Sequence, residues 1–175
     1  MTSSSAQDHI PYGRLVLICG ALTASAGVVA LLGWGLGLSF LASLGSDRIP
    51  MAPSTALLLV LYGVTASLRT YSPLSHNLYR LSVSVHCTGA LVAVLLFFLS
   101  HQGIYLDAEK LGFAAVGRVD GAPIGHMSPI TALGFLLASL SFLASLPPFS
   151  NRPWRAIMAW GIACLLLAVS SVLLL

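Results

Sequence analysis

Histidine and cysteine are the residue types in this chain that could ligate a metal or a pigment. His86 lies in the middle of a long apolar stretch and directly precedes Cys87. A histidine inside a membrane segment is costly and is frequently functional. Its ring nitrogen could ligate a haem iron or a chlorophyll magnesium, which makes His86 a candidate cofactor ligand. The commoner arrangement, which we favour, is a hydrogen bond from His86 to a hydroxyl group on a neighbouring helix.

The other residues that could carry chemistry form no catalytic pattern. His101 and His126 are expected near one membrane surface, but two histidines without a neighbouring acid or cysteine make a poor metal site. The apolar stretches contain no paired carboxylates, and the chain has no CxxC pair or phosphate-binding loop. The cysteines are predicted to be small buried hydrophobes; they are Cys19, Cys87 and Cys164. We therefore expect no enzymatic activity, no metal and no soluble small-molecule substrate.

The elements that would position these residues are long apolar helices. The chain has 175 residues, of which 57% are hydrophobic and 7% are charged, whereas soluble domains carry about 25% charged residues. Five stretches approach the roughly 20 apolar residues that cross a bilayer. They are residues 15–38, 53–68 (extending to 70), 81–100, 129–146 and 156–175. Because backbone groups in lipid must bond within their own segment, we predict an all-α membrane protein with five transmembrane helices.

These helices are predicted to come from a duplicated helical hairpin plus one extra helix. Arg14-Leu15, at the start of the first stretch, returns as Arg80-Leu81 at the start of the third. A second motif opens the second and fourth stretches. Its residues are Met51, Pro53 and Thr55 in one copy and Met127, Pro129 and Thr131 in the other. The repeats cover about residues 14–70 and 80–146 and the fifth helix about residues 154–175, within a single integral membrane domain of residues 1–175.

The second motif has the features of a helix start. Proline suits the first helical position because its missing N–H would have no helical partner there. Ala52 or Ser128 takes the N-cap position, and Ser128 is the better cap. The threonine hydroxyls can reach free backbone groups of the first turn. We favour this structural role, with ligand binding by the same groups as the alternative.

Each hairpin is predicted to carry a short helix on the outer membrane surface. The amphipathic stretches are residues 38–44 and 106–113, each following a glycine-containing end of the preceding helix. The second outer loop is longer and is expected to be adaptable. Its candidate partner-contact residues are Gly117, Gly121, Pro123 and Gly125. Small residues of the first helix, including Gly20, Ala24 and Gly27, are expected to pack against another helix of the same chain.

Charge predicts the orientation of the chain in the membrane. With the N-terminus inside, the inner segments hold one acid, Asp8, and the arginines Arg14, Arg69, Arg80, Arg152 and Arg155. Positive charge thus collects on one side, as the positive-inside rule requires. The expected location is a bacterial inner membrane, cytoplasmic or intracytoplasmic, with multiple spans, a cytoplasmic N-terminus and a periplasmic C-terminus. Because the arginines form no continuous basic run, no nucleic-acid partner is expected.

The order of these features resembles a bacterial family. An Arg-Leu start, a glycine-containing helix end, an amphipathic Leu-rich stretch and Met-x-Pro-x-Thr-Ala-Leu follow one another in residues 14–68 and again in residues 80–146. The pattern resembles the N-terminal integral membrane (sensor) module of bacterial histidine kinases and diguanylate cyclases. The resemblance implies sensing at or within the membrane. It implies no site residues, because the ligands of such modules are mostly unidentified. We expect no output domain of that family within residues 1–175.

Two functions follow as expectations. The first is a non-catalytic structural or assembly subunit that packs against other integral membrane proteins in a larger complex, for which photosynthetic and respiratory complexes are candidates. Its expected contacts are other integral membrane proteins and lipid, with carotenoid or chlorophyll as peripheral candidates. The alternative is the sensory input module of a truncated sensor kinase or diguanylate cyclase. At Leu175 two interpretations stay open, a natural chain end and a chain cut before a sixth span.

Overall fold

The computed structural model describes residues 9–43, 49–71, 76–113, 118–119 and 122–146. The helices in these ranges are α1 (His9–Leu36), α2 (Ser39–Ser43), α3 (Pro53–Tyr71), α4 (His76–His101) and α5 (Pro129–Ala144). A single 3-10 turn covers Asp107–Lys110, and two-residue strands β1 (Arg118–Val119) and β2 (Ala122–Pro123) pair antiparallel. The described part is thus helical, as predicted, and α1, α3, α4 and α5 coincide with the first four apolar stretches. The fifth predicted helix lies outside the described residues.

Two of the described helices are long and apolar enough to cross a membrane. They comprise Gly13–Leu36, with 24 residues, and His76–His101, with 26 residues. Helix α3 has 19 residues but carries Arg69 in its last turn and several hydroxyl side chains. Helix α5 is apolar and has 16 residues, which is slightly short of the roughly 17–25 that span a bilayer. Five membrane crossings therefore remain a prediction.

The first helix of each predicted hairpin ends in the same way. At the end of α1, Leu38 N–H donates to Gly33 O at 2.8 Å and Gly37 N–H donates to Trp34 O at 3.3 Å. At the end of α4 the corresponding bonds run from Ile104 to Leu99 at 2.9 Å and from Gly103 to Ser100 at 3.1 Å. Gly37 has φ +68° and Gly103 φ +71°. Both ends are Schellman motifs, in which a left-handed residue, usually glycine, closes the last turn.

The repeated proline motif opens α3 and α5, as predicted. Pro53 and Pro129 are the first residues of these helices. Ser128 caps α5, since its hydroxyl accepts a bond from the Thr131 N–H at 3.1 Å and lies 2.8 Å from the Thr131 hydroxyl. Ala52 offers no side-chain oxygen at the start of α3. The short helix expected after α1 is α2, and the one expected after α4 is the 3-10 turn.

The chain divides into two compact units. The first contains Met1–Val85 and Leu106–His126, and the second contains His86–Tyr105 and Met127–Leu175. In the first unit α1 packs along α3, with backbones so close that a side chain would not fit between them. A Cβ atom on Gly63 would lie 2.5 Å from Gly20 O, and a Cβ atom on Gly27 would lie 2.5 Å from Ala56 O. The prediction that the small residues of α1 pack within the chain is confirmed.

Candidate functional site

His86, the candidate cofactor ligand, belongs to the core of the second unit. Its side chain is 2% exposed. Its ring lies parallel to that of Phe142 on α5, with centroids 3.6 Å apart and planes inclined by 6°. Nearby on α5, Ser139 is fully buried and its hydroxyl donates to Phe135 O at 2.7 Å. The ring of His86 is thus buried and in contact with an aromatic side chain of its own unit.

The repeat explains why a histidine is accommodated here. His86 follows Arg80 at the same spacing as Gly20 follows Arg14, and Ser139 follows Pro129 at the same spacing as Gly63 follows Pro53. In the first hairpin these positions are the close glycine contact between α1 and α3. In the second, larger residues occupy them, and the flat imidazole ring stacks on an aromatic ring. Stacked rings contribute about 0.5–1.5 kcal/mol beyond the area they bury, so the arrangement favours a packing role for His86.

A second buried group lies in the loop between α4 and α5, in the part that belongs to the first unit. Glu109 Oε1 is 3.2 Å from His126 Nδ1, and the exposed fractions of these side chains are 7% and 4%. The expectation that His126 has no acid beside it is wrong. Glu109 is the last but one residue of the 3-10 turn, and the chain then reverses through Leu111 at φ 52° and Gly112 at φ +83°. Sequence analysis missed the pair because its members lie in a loop without periodicity.

Aromatic and backbone contacts hold this loop region together. The ring of Phe113 lies against Trp34 of α1, with centroids 6.5 Å apart. The Trp34 indole N–H donates to Met51 O at 2.7 Å, directly before the start of α3. At the exposed rim, the Lys110 ammonium contacts the Asp107 carboxylate at 2.7 Å. The hydrogen bond and positive charge from Lys110 lower the pKa of Asp107.

The chemistry available to the Glu109–His126 pair is that of a charged or neutral hydrogen bond. A zinc site uses three or four protein ligands. Within the described ranges no cluster brings three His, Cys, Asp or Glu side chains together. The pair therefore fits a structural role, in which a buried hydrogen bond connects the 3-10 turn to His126 at the end of the loop.

The candidate partner-contact residues of the loop differ in position and burial. Pro123 is in β2, opposite Arg118 of β1. Gly125 has φ +90° and is buried in its own unit, so it presents no exposed surface to a partner. Gly117 and Gly121 lie outside the described residues. Among the motif residues, Pro53, Thr55 and Met127 are buried, and Met51, Pro129 and Thr131 are half-buried.

The outward faces of the two long helices are apolar. Exposed side chains of α1 include Ile18, Leu22 and Leu32, and those of α4 include Leu91, Leu95 and Phe98. Two cysteines, Cys19 and Cys87, lie on these same exposed faces, so the prediction that they are buried is wrong. A thiol behaves as a small hydrophobe and suits a helix face turned towards lipid as well as it suits a core.

Comparison with known protein families, with characterised proteins and with solved structures finds no match to this chain. The resemblance to bacterial sensor modules therefore has the support of the repeated residues alone.

Proposed function

We propose that this chain is a multi-pass membrane protein without catalytic activity that serves as a structural or assembly subunit and packs against other transmembrane proteins. Its proposed orientation places the N-terminus in the cytoplasm of a bacterial cell, with the start of α1, the end of α3 and the start of α4 on that side. The proposed contacts are helix faces, supplemented by surrounding lipid.

The observation that carries the proposal is the small buried share of the long helices. In their most apolar windows, 17% of Gly13–Leu36 and 28% of His76–His101 is buried within the chain. Leu91 is 71% exposed and Leu22 is 65% exposed. Apolar surface of this extent needs a covering of lipid or of other helices. These outward helix faces could therefore pack against the helices of other transmembrane proteins.

Helix α4 is the better candidate for contact with another protein. Ser84, Cys87 and Thr88 are exposed at helical spacing with Leu91, so small side chains lie along one outward face. Small residues let helix backbones approach closely, which is the main source of attraction between helices in lipid. On α1 the hydroxyls of Thr23 and Ser25 instead bond to carbonyl oxygens one turn earlier, at 2.8 and 2.7 Å. That face is suited to lipid.

The test is extraction from native membranes with a mild detergent, followed by native gel electrophoresis and mass spectrometry of the band. We expect the chain in a larger assembly at fixed stoichiometry. Thr88→Trp should reduce this recovery by obstructing close approach at α4. The matched control is Leu22→Trp, a bulky change on the exposed face of α1, which should leave recovery unchanged. A monodisperse monomer from native membranes, with intact neighbouring proteins eluting separately, would exclude the subunit role.

The alternative is the sensory input module of a sensor kinase or diguanylate cyclase. The repeated Met-x-Pro-x-Thr-Ala-Leu motif supports it, because the resemblance depends on that motif. Sequencing the gene beyond the codon for Leu175 distinguishes the two functions. A sixth span followed by a PAS or GGDEF domain would favour the sensor, whereas a stop codon would favour the subunit.

A further inference from the structure

Three arginines from three different helices lie near helix ends of the first unit. Arg14 lies in the second turn of α1, Arg69 in the last turn of α3 and Arg80 in the second turn of α4. We call this group the arginine end. Arg14 and Arg80 are exposed, and Arg69 is half-buried.

Contacts between neighbouring residues bring the three positions together. A Cβ atom on Gly13, the residue before Arg14, would lie 3.5 Å from Thr70 Cγ2, and Thr70 directly follows Arg69. Arg69 in turn interacts electrostatically with Tyr79, the residue before Arg80. Because α1 starts, α3 ends and α4 starts here, all three arginines lie within two turns of these helix ends.

The described carboxylates do not neutralise this charge. Within the described ranges the acids are Asp107 and Glu109. Asp107 contacts Lys110 and Glu109 contacts His126, both in the outer loop. Asp8, which precedes α1 and lies outside the described residues, is the one acid close to the arginine end in sequence, so the three arginines leave a net positive charge there. This charge lies beside exposed apolar side chains, which include Leu15, Val16 and Leu81.

We propose that the arginine end binds the phosphate headgroup of an anionic phospholipid whose acyl chains lie along the exposed face of α1. A guanidinium group donates paired hydrogen bonds to phosphate oxygens, and basic sites between helix ends are a known way in which membrane proteins hold anionic lipids. Tyr79 is 37% exposed and directly precedes Arg80. Tyrosine rings are enriched at the headgroup level of membranes, so Tyr79 would lie beside the bound headgroup. The proposal requires a membrane location but does not depend on any protein partner.

The test uses the full chain, purified and delipidated in a neutral detergent, with native mass spectrometry of bound lipid. The probes are phosphatidylglycerol, phosphatidylcholine with the same acyl chains, and inorganic phosphate. We expect phosphatidylglycerol to bind tightly and phosphatidylcholine weakly. The double variant Arg14→Gln/Arg80→Gln should bind phosphatidylglycerol about 30-fold more weakly, at about fivefold for each cation removed. Higher ionic strength should also weaken binding of the wild-type chain.

The matched control is Lys110→Gln, which removes a half-buried cation from the outer loop and should leave lipid binding unchanged. Equal binding of phosphatidylglycerol and phosphatidylcholine to the wild-type chain would overturn the proposal. Loss of lipid binding on addition of inorganic phosphate at matched concentration would show a free-anion site and would also overturn it. If the double variant fails to fold, the single variants Arg14→Lys and Arg80→Lys provide the measurement, because lysine keeps the charge but loses the paired hydrogen bonds.

Discussion

The Glu109 carboxylate lies 3.2 Å from Nδ1 of His126, and both side chains are almost completely buried. The two residues belong to the loop between α4 and α5, which is longer than its counterpart in the first repeat. His126 directly precedes Met127 and the start of α5. The pair thus joins the 3-10 turn to the end of this loop. The loop is expected to be adaptable because of its glycines, but this buried contact restrains it.

Glu109→Ala should destabilise the loop between α4 and α5 by about 2–3 kcal/mol, because it removes the carboxylate partner of a buried imidazole. Thermal unfolding in detergent, followed by tryptophan fluorescence, measures the effect, since Phe113 of the same loop lies against Trp34. The matched control is Asp107→Ala, which breaks the exposed pair with Lys110 and should leave the unfolding temperature unchanged. Equal effects of the two substitutions would show that burial of the Glu109–His126 pair is unimportant.

Sequence patterns predicted those features of the fold that depend on neighbouring residues. The proline starts of α3 and α5 and the glycine ends of α1 and α4 each depend on a few consecutive residues, and all were found as expected. Between Glu109 and His126 the chain passes through left-handed backbone at Leu111 and Gly112, which alternating or helical periodicity does not reveal. The exposed cysteines Cys19 and Cys87 show a second limit. Where lipid surrounds a helix, both its inner and outer faces are apolar, so hydropathy does not distinguish them.

Gly63→Ala should destabilise the first unit by about 1–3 kcal/mol through overpacking. The new methyl group would lie 2.5 Å from Gly20 O and 2.6 Å from Ala24 N, and neither backbone atom can move without displacing α1. Gly134→Ala in α5 is the matched control, because no atom from outside the adjacent backbone of α5 lies within 4 Å of the added methyl group. It should be neutral or stabilising by up to about 1 kcal/mol, as alanine favours a helix. The free energy of unfolding in mixed detergent micelles provides the comparison.

Gly103→Ala should cost about 1 kcal/mol, because Gly103 has φ +71° and left-handed backbone is unfavourable for residues with a Cβ atom. The space around Gly103 is open, so the whole effect would come from the backbone. Gly103→Asn should cost less, since asparagine tolerates this conformation. A larger loss of stability for asparagine than for alanine would indicate a steric cause. Both variants can be compared by chemical unfolding monitored by circular dichroism.

The stacking of His86 on Phe142 should appear as a coupling free energy of about 1 kcal/mol in a double-mutant cycle with His86→Ala and Phe142→Ala. The control cycle uses Phe97 and His101, whose rings are parallel but have centroids 6.4 Å apart on one helix, with His101 exposed. Its coupling should be smaller. If His86 instead serves a bound pigment, the isolated protein would show visible absorbance that His86→Ala abolishes, and the first cycle would show no coupling.

The last prediction concerns topology. The contact of Gly13 with Thr70 shows that α1 and α3 are antiparallel neighbours, with the start of one beside the end of the other. A chain that crosses twice returns to its starting side, so Arg14, Arg69 and Arg80 should all face the cytoplasm, where arginine is favoured. In a variant with Cys19, Cys87 and Cys164 replaced by serine, we expect Val119→Cys to react with a membrane-impermeant maleimide in intact cells. Ser75→Cys should react only after permeabilisation. Cys19 and Cys87 must be replaced first because both are exposed on helix faces. Labelling of Ser75→Cys from outside intact cells would reverse the proposed orientation and place the arginine end in the periplasmic leaflet.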